Sequence, residues 1–141
     1  MKHENNGRCA KCQLVLNRYP GFHKHFRNWF ESFQLKHPEA HTSCAGRGEL
    51  DQEACFIRKA SRARWKESSH NYNAALDFFE LGGDDIEQIY EEKWFHEVLA
   101  PELPEFLEWY GAPNAPFKEM PHVQLKNWKI LRNNGTLKLV E

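Results

Sequence analysis

No run of apolar residues in this 141-residue chain approaches the roughly 18 needed to span a bilayer. The opening residues, MKHENNGRCAKC, are polar and hold no apolar core of the kind a secretion signal requires. Synthesis in the cytoplasm is therefore expected, without stable membrane insertion. Surplus charge of one sign is missing too: 19 Lys+Arg stand against 20 Asp+Glu, for a formal charge of -1. That balance argues against a dedicated nucleic-acid binder, which shows a strongly basic face. Cysteines number only 4, and without a secretion signal a disulfide framework is not their expected use. Internal repeats and low-complexity tracts are absent. Helices and short strands mix without β-α-β alternation, so the expected class is α+β.

What is present suits one globular domain. Hydrophobic residues make up 40% of the chain and aromatics 13%, which excludes wholesale disorder. A chain of this size buries about two thirds of its unfolded surface, enough for a core without metal support. A bound metal is thus free to serve chemistry. Residues 1–20 read as a tail and 21–141 as the domain. Cys9 and Cys12 form a lone C-x-x-C with no second pair. His23 and His25 follow, but residues two apart on a helix point about 200° apart and clamp one ion poorly. A flexible, reduced tail is the favoured reading.

Along the chain, Phe22, Phe26, Trp29, Phe30 and Phe33 recur at helical spacing, predicting an aromatic-faced helix from Gly21 to Lys36. His37-Pro38 ends it. His41–Ala45 reads as a short strand, and Gly46-Arg47-Gly48 as a turn projecting Arg47. Glu49–Lys59 looks helical. The stretch from Arg58 to Lys66 places five positive charges in nine residues and reads as a solvated loop. The second half of Ser68–Leu81 has strand character. Asp84 is expected to cap a helix reaching Leu99, with a short helix to Tyr110 and a loop from Gly111 to Pro116. Pro121–Leu125 and Leu137–Val140 read as strands.

One constellation carries chemistry. In an extended Ala74–Leu81 both faces look buried, so Asp77 must be paired, hydrogen-bonded or bound to a metal. A structural salt bridge and a ligand role are equally open. His70 stands seven residues earlier. On a helix the two would lie about 10 Å apart along the axis, so a shared ion requires a turn folding His70 back beside the strand. Asn71, Tyr72 and Asn73 suit such a turn. Further on, Pro121 pins the entry to His122. Two histidines and one carboxylate leave a fourth position for water, the open arrangement of hydrolytic zinc. Glu119 is then the candidate base.

The S-x-H-x6-D pattern of Ser68, His70 and Asp77, followed by Glu119-x-x-His122, resembles the D-alanyl-D-alanine carboxypeptidase / L-alanyl-D-glutamate endopeptidase family of zinc peptidases. Trp109-Tyr110-Gly111 resembles the family's tryptophan-glycine segment. Ala45-Gly46-Arg47-Gly48 with Gln52 resembles its arginine block. The likeness runs from about His41 to Trp128. It implies Zn2+ held by His70, Asp77 and His122, with Glu119 as general base. Arg47 would stabilise charge on the scissile carbonyl oxygen, and Ser68 would lie near substrate. It further implies a small antiparallel sheet flanked by helices, as in lysostaphin-type peptidases and Hedgehog amino-terminal domains.

The substrate implied is peptidoglycan stem peptide, and the setting a phage-type endolysin made in the cytoplasm and acting on the wall after release. L-alanyl-D-glutamate endopeptidase activity is the first expectation and D-alanyl-D-alanine carboxypeptidase activity the second. A third is a non-catalytic zinc domain binding wall fragments or a partner protein. A monomer without nucleic-acid partners is expected. One departure is visible: many endolysin relatives carry an acidic residue two after the last histidine, where this chain has Gln124.

Overall fold

The computed structural model describes residues 1–115 and 118–140. Its frame is a five-stranded antiparallel sheet with helices packed against it, the expected α+β class. The elements are α1 (Ala10–Asn17), α2 (Lys24–Lys36), β1 (Ala40–Cys44), α3 (Glu49–Ile57) and β2 (Ala75–Leu81). They are followed by β3 (Gln88–Ile89), α4 (Glu92–Trp94), β4 (Leu107–Trp109), β5 (His122–Leu125) and α5 (Trp128–Asn133). The sheet order is β1-β2-β5-β4, and β3 pairs with the end of β2 that β5 does not reach.

The aromatic stripe of α2 makes the core. Phe26, Phe30 and Phe33 are buried, and Phe30 meets Phe78 of β2 edge-on with ring centroids 5.5 Å apart. Leu76 and Phe78 face this helix layer, so Asp77 and Phe79 take the other face of β2 by strand alternation. Cross-strand pairing then sets three elements side by side. Cys44 lies opposite Asp77 on one flank and His122 opposite Asp77 on the other. His41 lies opposite Phe79.

Four expectations are corrected. The segment 1–20 is not a loose tail: α1 packs on β1, and Cys9, Cys12 and Leu16 are fully buried in the common core. The helix expected from Asp84 is instead a hairpin turn. Asp84 Oδ1 accepts from the amides of Ile86 (3.1 Å) and Glu87 (3.2 Å), and Asp85 adopts φ 59°, so the chain reverses into β3. Helix appears only at α4, which runs on as a π turn over Phe95–Leu99. The short helix expected before Tyr110 is β4, because pairing with β5 outweighs local preference. Leu137–Val140 forms no strand. The Val140 amide donates to Asn71 O (2.7 Å), lacing that end to the turn that carries His70. The loop after Gly111 turns as expected up to Ala115, Pro116 lying outside the described residues. No helix among the described residues is long and apolar enough to cross a membrane.

Candidate metal and catalytic centre

His70 reaches Asp77 because the chain does fold back. Ser69–Tyr72 is a single 3-10 turn, capped by Ser68, whose Oγ accepts from the His70 amide at 3.2 Å. The Asn71 side chain closes the other half of the capping box. Asn73 then takes a left-handed conformation, φ 58°, and releases the chain into β2. His70 Nε2 ends 3.2 Å from Asp77 Oδ1. His122, placed directly across from Asp77 by the β2–β5 register, brings Nδ1 to 3.4 Å from the same oxygen. Glu119 Oε2 lies 3.8 Å from that nitrogen. The sequence-separated trio thus converges on one carboxylate oxygen.

The remaining imidazole nitrogens are held from behind. His122 Nε2 lies 2.7 Å from Gln124 Oε1. The Gln124 amide cannot be reversed without loss, since its Nε2 donates to Glu108 (2.8 Å) and to the Tyr110 hydroxyl (3.1 Å). The carbonyl oxygen therefore faces His122 and accepts Nε2–H, which directs Nδ1 toward Asp77. Ser69 Oγ also donates to Gln124 Oε1, at 2.9 Å. On His70, Nδ1 faces Cys44 Sγ at 3.9 Å. This outer arrangement is the usual device for orienting metal-binding histidines.

Electrostatics favour an ion pair in the protein alone. Burial by itself would lower the His70 pKa, but the Asp77 carboxylate overrides it and holds the group well above its ordinary value. Burial would raise Asp77; the charge on His70 and the hydrogen bond from His122 outweigh it and drive it far down. Cys44 is lowered despite burial, by the same His70. A half-buried carboxylate flanked by two buried imidazoles has the donor chemistry of a divalent-cation site. Cys44, His70 and Asp77 also form a compact group of potential ligands.

The trio opens into a cavity of about 510 Å³ lined by Arg47, Arg62, Ser68, Glu119, Tyr110 and Trp128 among others. Arg47 NH1 donates to Gln52 Oε1 (3.1 Å), and the buried Gln52 is itself tied to Ala63 O and Asn71. Gly46 is required by space, not by an unusual φ: a Cβ there would meet the Tyr19 ring at 2.5 Å. Gly111 is required likewise, under Trp109 at 2.1 Å, and the Trp109 indole donates to Met120 O just before Pro121. The basic stretch 58–66 walls the cavity through Arg62, while Arg64 pairs with Glu53 at 2.8 Å.

All six residues singled out in the sequence line this one cavity. Three contributors escaped that reading: Ser69, Cys44 and Glu108. A doubled serine before the histidine was the available signal for the first. The other two depend on register alone.

No family model matches the chain, and no curated protein matches it. Among solved structures it is similar to the L-Ala D-Glu endopeptidase ChiX of Serratia marcescens, with TM-score 0.65 and 19% sequence identity. The match covers 89% of this chain and 90% of that one, so the two share a fold over nearly their whole lengths.

Proposed function

We propose that this protein is a zinc-dependent peptidase of peptidoglycan stem peptides, cleaving the L-alanyl–D-glutamate bond in the setting of phage-type lysis. The observation that carries the reading is the meeting of His70 Nε2 and His122 Nδ1 on Asp77 Oδ1, at 3.2 and 3.4 Å, on the wall of a cavity shared with Glu119 and Arg47. The fold shared with an L-Ala D-Glu endopeptidase supports it. His70, Asp77 and His122 would hold the zinc, which when bound supplies Lewis acidity and lowers the pKa of water at the open position.

The chain's own groups do the rest. Glu119 takes the proton from the attacking water and returns it to the departing amine. Arg47, steadied by Gln52, donates hydrogen bonds to the carbonyl oxygen as it gains negative charge. Arg62 and Lys129 on the cavity wall suit a substrate whose leaving residue is an acid. Ser68 holds the 3-10 turn and borders the substrate space.

The test is mass analysis of fragments released from purified sacculi. A new glutamate amino terminus is expected. Freed alanine would select D-alanyl-D-alanine carboxypeptidase activity instead. Zinc binding without any product would select a non-catalytic wall-binding domain. Glu119→Gln should keep zinc and lose at least about 100-fold in turnover, the usual worth of a general base.

A further inference from the structure

A second cluster of ligating side chains lies away from the cavity. Cys9, Cys12 and His41 are completely buried, and His3 is half-buried beside them. Cys12 Sγ is 3.4 Å from His3 Nδ1 and 3.3 Å from His41 Nδ1, and Cys9 Sγ is 3.6 Å from His3 Nδ1. A tetrahedral ion with metal–sulfur bonds of about 2.3 Å and metal–nitrogen bonds of about 2.0–2.1 Å sets sulfur–nitrogen edges of about 3.6 Å. The observed spacings fit that figure.

The protons around the cluster are arranged for an ion. Asn5 Nδ2 faces the carbonyls of Leu81 and Gly82, so its Oδ1 faces His41 Nε2 at 3.0 Å and accepts that proton. His41 Nδ1 is left as a lone pair pointing at Cys12 sulfur. That sulfur already receives two N–H donors, from Gln34 Nε2 and the Thr42 amide, both at 3.4 Å. Cys9 sulfur receives the Cys12 amide at 3.5 Å. The His41 lone pair and the accepting sulfurs thus face one another with N–H groups behind them, the surroundings of metal-bound thiolates. Two thiolates would neutralise a dication, which suits complete burial.

We propose that His3, Cys9, Cys12 and His41 form a second, closed zinc site. With four protein ligands it leaves no corner for water, so its role is structural. It fastens residues 3–12 to β1, three residues before Cys44 of the catalytic cluster, and closes the outer edge of the sheet at Thr42. This inference stands independently of the peptidase reading.

The test uses the full chain purified under reducing conditions. The wild type is expected to carry two equivalents of zinc, and His70→Ala/His122→Ala to retain one. Cobalt added to the stripped double variant should give near-ultraviolet thiolate-to-cobalt charge transfer. That band should vanish on adding Cys12→Ser and persist on adding Cys44→Ser. Should Cys12→Ser or the double variant fail to fold, the band must still persist in Cys44→Ser alone. A folded double variant without metal and without the band would overturn the proposal. So would a band that depends on Cys44, or a Cys9–Cys12 disulfide in the reduced preparation.

Discussion

His122 meets its surroundings through two chemically different nitrogens. Nδ1 looks toward Asp77 and Glu119, and Nε2 toward Gln124. Gln124, the departure noted in the sequence, has a carbonyl oxygen that does the orienting a carboxylate would. The acid is displaced one step outward, to Glu108, which fixes the amide. Gln124→Ala should therefore weaken zinc binding by about 10–100-fold, with the fold intact. Competition with a chromophoric chelator measures this, and an unchanged affinity would mean that Ser69 alone orients the ring. Residue types could be read from the sequence here, but the direction in which the Gln124 amide points could not.

At the scale of elements, β2 decides most of the outcome. One face presents Leu76 and Phe78 to α2, and the other presents Asp77 to the cavity and Phe79 to the second cluster. Removing the Phe30 ring should cost about 3–5 kcal/mol, as for other large-to-small changes in a packed core. Phe30→Ala should lower the denaturation midpoint strongly, while the folded fraction keeps its metal content and turnover. Equal loss of turnover in the folded fraction would place Phe30 nearer the chemistry than its packing shows. α2, β1, α3 and β2 were legible because each carries a local period or a clear stop such as Pro38. β3 and β4 were not, because two- and three-residue strands exist only through their partners.

For the whole molecule, two histidines set opposite pH limits on stability once chelator has removed any metal. His41 is lowered to about 4, chiefly by burial and then by His3. Between its unfolded value of 6.5 and about 4, the unfolded chain takes up a proton that the folded chain refuses, so stability falls as pH drops. His70 is raised, so its contribution is complete below 6.5 and fades as pH climbs through the folded value. Stripped protein should therefore be most stable near pH 6.5. Zinc should move that optimum upward, because ligation needs neutral imidazole and displaces the His70 proton. Denaturation midpoints across pH, with and without zinc, check both statements. An optimum that zinc leaves in place would remove His70 from the ligand set.

From its sequence alone this protein had its class, its aromatic core helix, turn residues suited to folding His70 back toward Asp77, and the residue types of the candidate site. These follow from local rules: helical spacing, proline stops, turn-forming asparagines, and the cost of burying an unpartnered carboxylate. Tertiary structure decided what depends on register and on distance through space. Antiparallel pairing placed His122 and Cys44 on either side of Asp77, set Gln124 behind the imidazole, and carried His41 to the buried C-x-x-C. No local pattern couples residue 3 to residue 41, because only the packing of α1 against the edge of β1 brings them together.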